Sequence, residues 1–291
     1  MVRSKMSVGS FATARGWLSR TSVFGARVDR QMMPQSNARA RTTEDDVLTL
    51  PMNDVVALVL VEAIRGGDIA ALRRLLDEQP ELATARFENA KGATRTALHV
   101  AADWPGYFPN GPAVVNLLIS AGADPNAPHT GGSHAETPLH WAASSDDVDV
   151  AAALIAGGAD IEATGASIAG GTPLDDAVGY GCWHVARLLV ERGAKVETLW
   201  HAAALGMMSR VQEFFLSDPP PAPRDINNAF WQACAGGQRR VAEFLLAKGA
   251  DIDWIPDYTK LAPLDAAGSL DTRRDTLVNW LRDRGAKSAK S

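Results

Sequence analysis

Chemistry in this chain would have to come from a small set of residues. Asp103, Asp176 and His201 are carboxylates and an imidazole of the kind that serve as general acid and base. His129, His134 and Glu136 fall within one short segment, Pro128-His129-Thr130-Gly131-Gly132-Ser133-His134-Ala135-Glu136. Two imidazoles and a carboxylate could hold zinc, but this spacing matches no ligand motif, so no metal is expected. Cys182 stands before Trp183-His184, a thiol beside an imidazole, and reads as a buried structural thiol. No serine lies in G-x-S-x-G, and neither a P-loop nor a G-x-G-x-x-G follows a strand. The residues point to a non-enzymatic protein with no cofactor.

Composition narrows the classes further. The chain has 291 residues, 46% of them hydrophobic, enough for a continuous core. Its two cysteines, Cys182 and Cys234, exclude a disulfide framework and fit a reducing compartment, so the cytoplasm is expected. No apolar run approaches the ~18 residues needed to cross a bilayer. Residues 1–43 carry eight Lys/Arg and one acid, a charge of +7, which leaves -12 on the remainder of a chain whose net charge is -5. That acidic body would repel nucleic acid.

The basic segment 1–43 is rich in Arg and Ser and contains Phe11, Trp17, Leu18 and Phe24. Three readings stand: a disordered extension, an upstream start chosen in place of Met32, Met33 or Met52, or a mitochondrial transit peptide. The last would change the expected compartment to the mitochondrion.

The elements that must position the chemistry announce themselves by repetition. Thr137-Pro138-Leu139-His140-Trp141-Ala142-Ala143 recurs as Thr96-Ala97-Leu98-His99-Val100-Ala101-Ala102, as Thr172-Pro173-Leu174-Asp175-Asp176-Ala177 and as Ala262-Pro263-Leu264-Asp265-Ala266-Ala267. A second marker, such as Gly157-Gly158-Ala159-Asp160 or Lys248-Gly249-Ala250-Asp251, closes each repeat after an amphipathic stretch. The phrase resembles the ankyrin signature T-P-L-H-x-A, with its period near 33 residues. The resemblance covers residues 55–287, and the Ala-rich, compact repeats look bacterial.

It implies an all-α ankyrin solenoid of about seven helix-turn-helix repeats with projecting finger loops, starting near 55, 96, 137, 172, 197, 228 and 262. Residues 44–54 would be a linker, the array would break at 217–226, and 288–291 would be a tail. Asp103–Pro112 interrupts the second repeat with prolines and glycines that oppose helix, and the run Asp218–Pro223 favours polyproline II. Asp146-Asp147-Val148-Asp149 reads as capping at a helix start. Trp200 and Trp231 stand where the signature has His, and read as packing.

In ankyrin repeats the residue after the signature His, and the two after the Ala pair, face the concave groove. The resemblance therefore gathers Asp103, Trp104, Trp141, Ser144, Ser145, Asp176, Tyr180, His201 and Gln232 on one face, with Tyr107 and Phe108 leaning over it from the loop. Asp176 and His201 would sit in adjacent repeats about 10 Å apart, too far for a catalytic pair. The expected function is binding of a partner protein or peptide by a monomer, with aromatic anchors exposed. The alternative is a small-molecule site or an enzyme, with a closed pocket of some hundreds of Å3 beneath the 103–112 loop.

Overall fold

The computed structural model describes residues 47–268 and 273–289. The readings of segment 1–43 lie outside the described residues. Among these residues, fourteen α-helices follow one another as seven pairs. They divide into two compact units, one ending at residue 194 and one beginning at 195.

The first unit holds α1 (Val55–Gly66), α2 (Ile69–Glu78), α3 (Ala97–Ala102), α4 (Gly111–Ser120), α5 (Pro138–Ser145), α6 (Val148–Ala156), α7 (Pro173–Gly179) and α8 (Trp183–Glu191). The first helices of the pairs pack in series, α1 on α3, α3 on α5 and α5 on α7, and the second helices do the same. All six residues of α3 are buried, because it has a neighbouring first helix on each side. The second unit holds α9 (Leu199–Ala204), α10 (Met208–Phe214), α11 (Pro223–Ala235), α12 (Arg239–Ala247), α13 (Pro263–Ala267) and α14 (Asp275–Asp283). Its core includes Phe230, Val241, Leu245, Leu277 and Leu281.

The signature explains how each pair starts. Thr96 and Thr137 cap α3 and α5, and their backbone N–H groups donate to His99 Nδ1 (3.2 Å) and His140 Nδ1 (3.0 Å). With Nδ1 accepting, the neutral ring carries its proton on Nε2, which donates to the next repeat: His99 to Glu136 O (3.0 Å) and His140 to Gly171 O (3.4 Å). Burial holds both imidazoles below their ordinary pKa, His99 down at about 3, so both stay neutral at physiological pH. Trp231 does the same job with its indole, donating to Leu261 O at 2.8 Å. The closing marker ends helices as its sequence suggests. Gly158 takes φ 94, and Ala159 N reaches back to Leu154 O.

One cap crosses between repeats. Asp146, at the α5–α6 turn, accepts from the His184 and Val185 N–H groups through Oδ1, which caps the start of α8. Its Oδ2 lies 2.7 Å from His184 Nδ1.

Three boundaries differ from the sequence reading. Thr49–Pro51, inside the expected linker, is a strand, β1, parallel to β2 (Arg86–Glu88), which pairs antiparallel with β3 (Thr94–Thr96). Leu50 and Phe87 are buried there, which is what draws the linker in. Helix α4 begins at Gly111, with Pro112 in its first turn, where a missing N–H costs nothing. Helix α11 begins at Pro223, five residues ahead of the position expected, for the same reason. The array's break therefore ends at Ala222, whose φ -70 and ψ 156 are polyproline II values.

Candidate functional site

The loop of residues 103–110 is fixed at several points. Asp103 leaves α3 in an extended conformation, and its Oδ2 accepts from Arg65 (2.7 Å) and from Arg95 (3.0 Å). Asn110 Nδ2 donates to Gly67 O at 2.9 Å. Gly67, at φ 62, lies so close to Pro109 that a Cβ there would fall 2.0 Å from the Pro109 carbonyl oxygen. On the other side, Tyr107 donates its N–H to Asp147 and its hydroxyl to Asp146 O. Phe108 turns inward beneath the Arg65 guanidinium, 5.5 Å from its ring centre. Trp104 and Tyr107 are left 58% and 59% exposed on a loop tied to its neighbours on both flanks.

Beneath the loop is a hollow of about 170 Å3, lined in part by Tyr107, Phe108, Asp147 and Asp149. Asp147 is already engaged by Val150 N and Tyr107 N. The hollow is smaller than the ~300 Å3 at which small-molecule pockets begin.

Inward from Asp103 runs a line of charge and aromatic rings. Arg95 is 7% exposed, and its guanidinium carbon lies 5.9 Å from the Trp141 ring centre. Burial lowers the Arg95 pKa, and the Asp103 carboxylate opposes that loss. Trp141 is half-buried and meets His99 edge-on at 4.9 Å and the finger residue His129 at 5.9 Å. His129 is thus a packing partner of Trp141; burial lowers its pKa. Among the described residues no group of three or more His, Cys, Asp or Glu is placed to hold a metal ion.

A second network surrounds Asp176, which is fully buried. Its Oδ1 accepts from Ser167 Oγ (2.9 Å) and Ile168 N (3.1 Å), and Tyr180 OH lies 2.8 Å from Ser167 Oγ. Oδ2 has no hydrogen-bond partner. Burial, and then the negative charge of Glu136, push the Asp176 pKa up to about 8, so it is protonated at neutral pH. The finger carrying Ser167 and Ile168 folds down onto α7, where Ile168 lies against Gly179.

Several residues expected on the groove are interior. Asp176, His201 and Gln232 are buried, as are Val100 and Ala266 at the equivalent positions. First helices are pressed between neighbours and overlain by fingers, so the position after the signature His is covered; Trp141, the largest side chain there, stays half-exposed. In the second unit, His201 lies against Trp200 with ring centres 3.9 Å apart, and Gln232 donates to Tyr258 OH at 3.3 Å. Burial pushes the Tyr258 pKa up to about 12. Ser144 Oγ donates to Trp141 O, and Ser145 Oγ to Ala102 O, so both hydroxyls serve packing. The structure therefore joins Asp103 to Trp141 through Arg95, and Asp176 to Tyr180 through Ser167. Arg65, Arg95 and Ser167 were missed: Arg65 stands 38 residues from Asp103, and no motif spacing links Arg95 to Asp103 or Ser167 to Asp176, eight and nine residues apart.

Serial helix pairs joined by inter-repeat hydrogen bonds define a helical-repeat protein. The family description "Ankyrin repeats (3 copies)" matches residues 107–198, so that stretch of the chain is built of ankyrin repeats. The chain is similar to the crystal structure of the ankyrin repeat domain of Bcl-3, described as a unique member of the IkappaB protein family. That match has 25% identity and TM-score 0.44, and covers 77% of this chain and 97% of that one. It is also similar to the human ASB11 ankyrin repeat domain, at 18% identity and TM-score 0.46, covering 78% of this chain and 98% of that one. No curated protein matches. Ankyrin repeats are generally protein-interaction modules and are typically non-enzymatic. No described helix is long and apolar enough to cross a membrane.

Proposed function

We propose that this protein is a non-enzymatic adaptor that binds a partner protein or peptide through the 103–110 loop and the adjoining Trp141 face. The observation that carries this reading is the exposure of Trp104 and Tyr107 on a loop already fixed by Arg65, Asn110, Asp146 and Asp147. Large aromatic side chains held in place before binding lose little conformational freedom on contact, and such residues dominate interface energies. Asp103 and Phe108 hold the platform, Trp104, Tyr107 and Trp141 touch the partner, and the buried Asp176, His201 and Gln232 act by shaping the repeats. We place the protein in the cytoplasm, where its cysteines stay reduced.

The test is a pull-down from native lysate with the full chain and with a Trp104→Ala, Tyr107→Ala, Trp141→Ala variant, both checked for fold by circular dichroism. Proteins retained by the parent and lost by the variant support the reading. Identical retention on both moves the interface elsewhere, and retention of nothing on either removes the adaptor role.

A further inference from the structure

Two guanidiniums share one carboxylate oxygen at the base of the 103–110 loop. Asp103 Oδ2 accepts from Arg65 Nη2 at 2.7 Å and from Arg95 Nη1 at 3.0 Å, while Oδ1 accepts from Trp104 N at 2.9 Å. Each arginine gives this carboxylate a single N–H, although a guanidinium carries a fork of several donors. Arg65 Nε, Arg95 Nε and Arg95 Nη2 are buried without a hydrogen-bond partner. Buried polar groups nearly always find partners in folded proteins, so donors left over at one spot call for an explanation.

Charge is left over as well. Two guanidiniums at +2 and one carboxylate at -1 sum to +1, within a body that carries -12. Arg95 registers the imbalance: burial lowers its pKa, the Asp103 carboxylate opposes that loss, and the like charge of Arg65 adds to it. The surroundings are aromatic, with Arg65 5.5 Å from the Phe108 ring centre and Arg95 5.9 Å from that of Trp141. A charge-assisted hydrogen bond is stronger among such rings than in open water. Access is through Arg65, whose side chain is 26% exposed; Arg95, at 9%, adds charge rather than contact.

Resting on the adaptor reading, we propose that the partner peptide presents an aspartate or glutamate side chain to Arg65, and that its carboxylate balances the charge Asp103 leaves over. One negative charge closes the balance, whereas a phosphate group near -2 would overshoot it. The hollow beneath the loop has carboxylates of its own and would favour a basic side chain. There Asp147 is already engaged by Val150 N and Tyr107 N, and Asp149 is exposed to water.

The experiment selects random peptides displayed on phage against the full chain, and discards those that also bind a Trp104→Ala, Tyr107→Ala variant. The most frequent remaining peptide is synthesised and its affinity measured by fluorescence anisotropy. The expected result is a recurring acidic position in the recovered peptides. Changing that residue to its amide should weaken binding about tenfold, the loss of one charge-assisted hydrogen bond. Arg65→Gln, checked for fold by circular dichroism, should weaken the acidic peptide by a similar factor and leave the amide peptide unchanged. Arg65→Lys should restore part of the preference for the acid. A substitution that only loosened the loop would weaken both peptides alike, and that result would overturn the proposal. Platform-dependent peptides with no acidic position, or with a basic one in its place, would overturn it and leave the adaptor reading standing. Recovery of no platform-dependent peptide would overturn both.

Discussion

Trp231 donates its indole N–H to the carbonyl of Leu261 across 2.8 Å. Leu261 immediately precedes the signature position Ala262, just as Glu136 and Gly171, the acceptors of His99 and His140, precede Thr137 and Thr172. A different ring thus makes the same inter-repeat hydrogen bond.

Trp231→Phe keeps most of the ring and removes the donor. Leaving the Leu261 carbonyl without this partner should cost about 1–2 kcal/mol. The effect would be read as a lowered urea midpoint with an unchanged m-value. Trp231→His should recover part of the loss.

Asp176 makes stability fall as pH rises. Its folded pKa of about 8 lies above the unfolded value of 3.8, so the folded state binds the extra proton between those limits. The stability present at pH 4 should therefore decline toward pH 8. Asp176→Asn keeps an acceptor for Ser167 and Ile168 and removes the charge. The variant should exceed the parent by a few kcal/mol at pH 8, with the gap closing near pH 4. Chemical denaturation at four pH values checks the slope.

His99 acts in the opposite sense. Its folded pKa of about 3 lies below the ordinary 6.5, so the unfolded chain binds the extra proton and stability is lost as pH falls from 6.5 toward 3. His99→Gln should flatten that acid limb while costing about 1 kcal/mol at pH 7 through poorer cap geometry. The same titration series reads both effects.

Asp103→Ala should destabilise by about 2–3 kcal/mol, because Arg95 is left in the interior without its carboxylate. The partial exposure of Asp103 keeps this below the cost of breaking a fully buried pair. Limited proteolysis should gain a cleavage site within 104–110, since the Arg65 tether is lost as well.

Trp104→Ala separates binding from folding. The side chain is mostly exposed, so the melting temperature should hold to within the equivalent of about 0.5 kcal/mol. Retention of the partner should fall at least tenfold in the pull-down.

The fold was legible because the signature encodes local geometry. Thr137 caps α5 and His140 bonds back to it from three residues on, and Gly158 ends α6 just past its last residue; the His140 bond to Gly171 alone among these reaches the next repeat. The site was only partly legible. Trp104 and Tyr107 stood out as large aromatics in a Pro/Gly interruption that cannot continue a helix. Arg95 gave no sign, since its pairing with Asp103 depends on how β3 runs into α3, and its contact with Trp141 on how the next repeat stacks. The burial of Asp176 followed from the downward fold of its own finger, where Ser167 and Ile168 find the carboxyl. An alternating pattern of apolar residues carries no record of which way a loop folds.

Asp146 gives the third and fourth repeats an order of precedence. Its carboxylate is part of one repeat, yet it satisfies the N–H groups at the start of α8 in the next. These two repeats are therefore not interchangeable cassettes. A gene duplication or deletion with its junction between them would leave α8 with orphaned amides unless it carried an aspartate to the same place. Modularity here has a seam that recombination cannot cut freely, although the sequence on either side looks like the same repeating phrase.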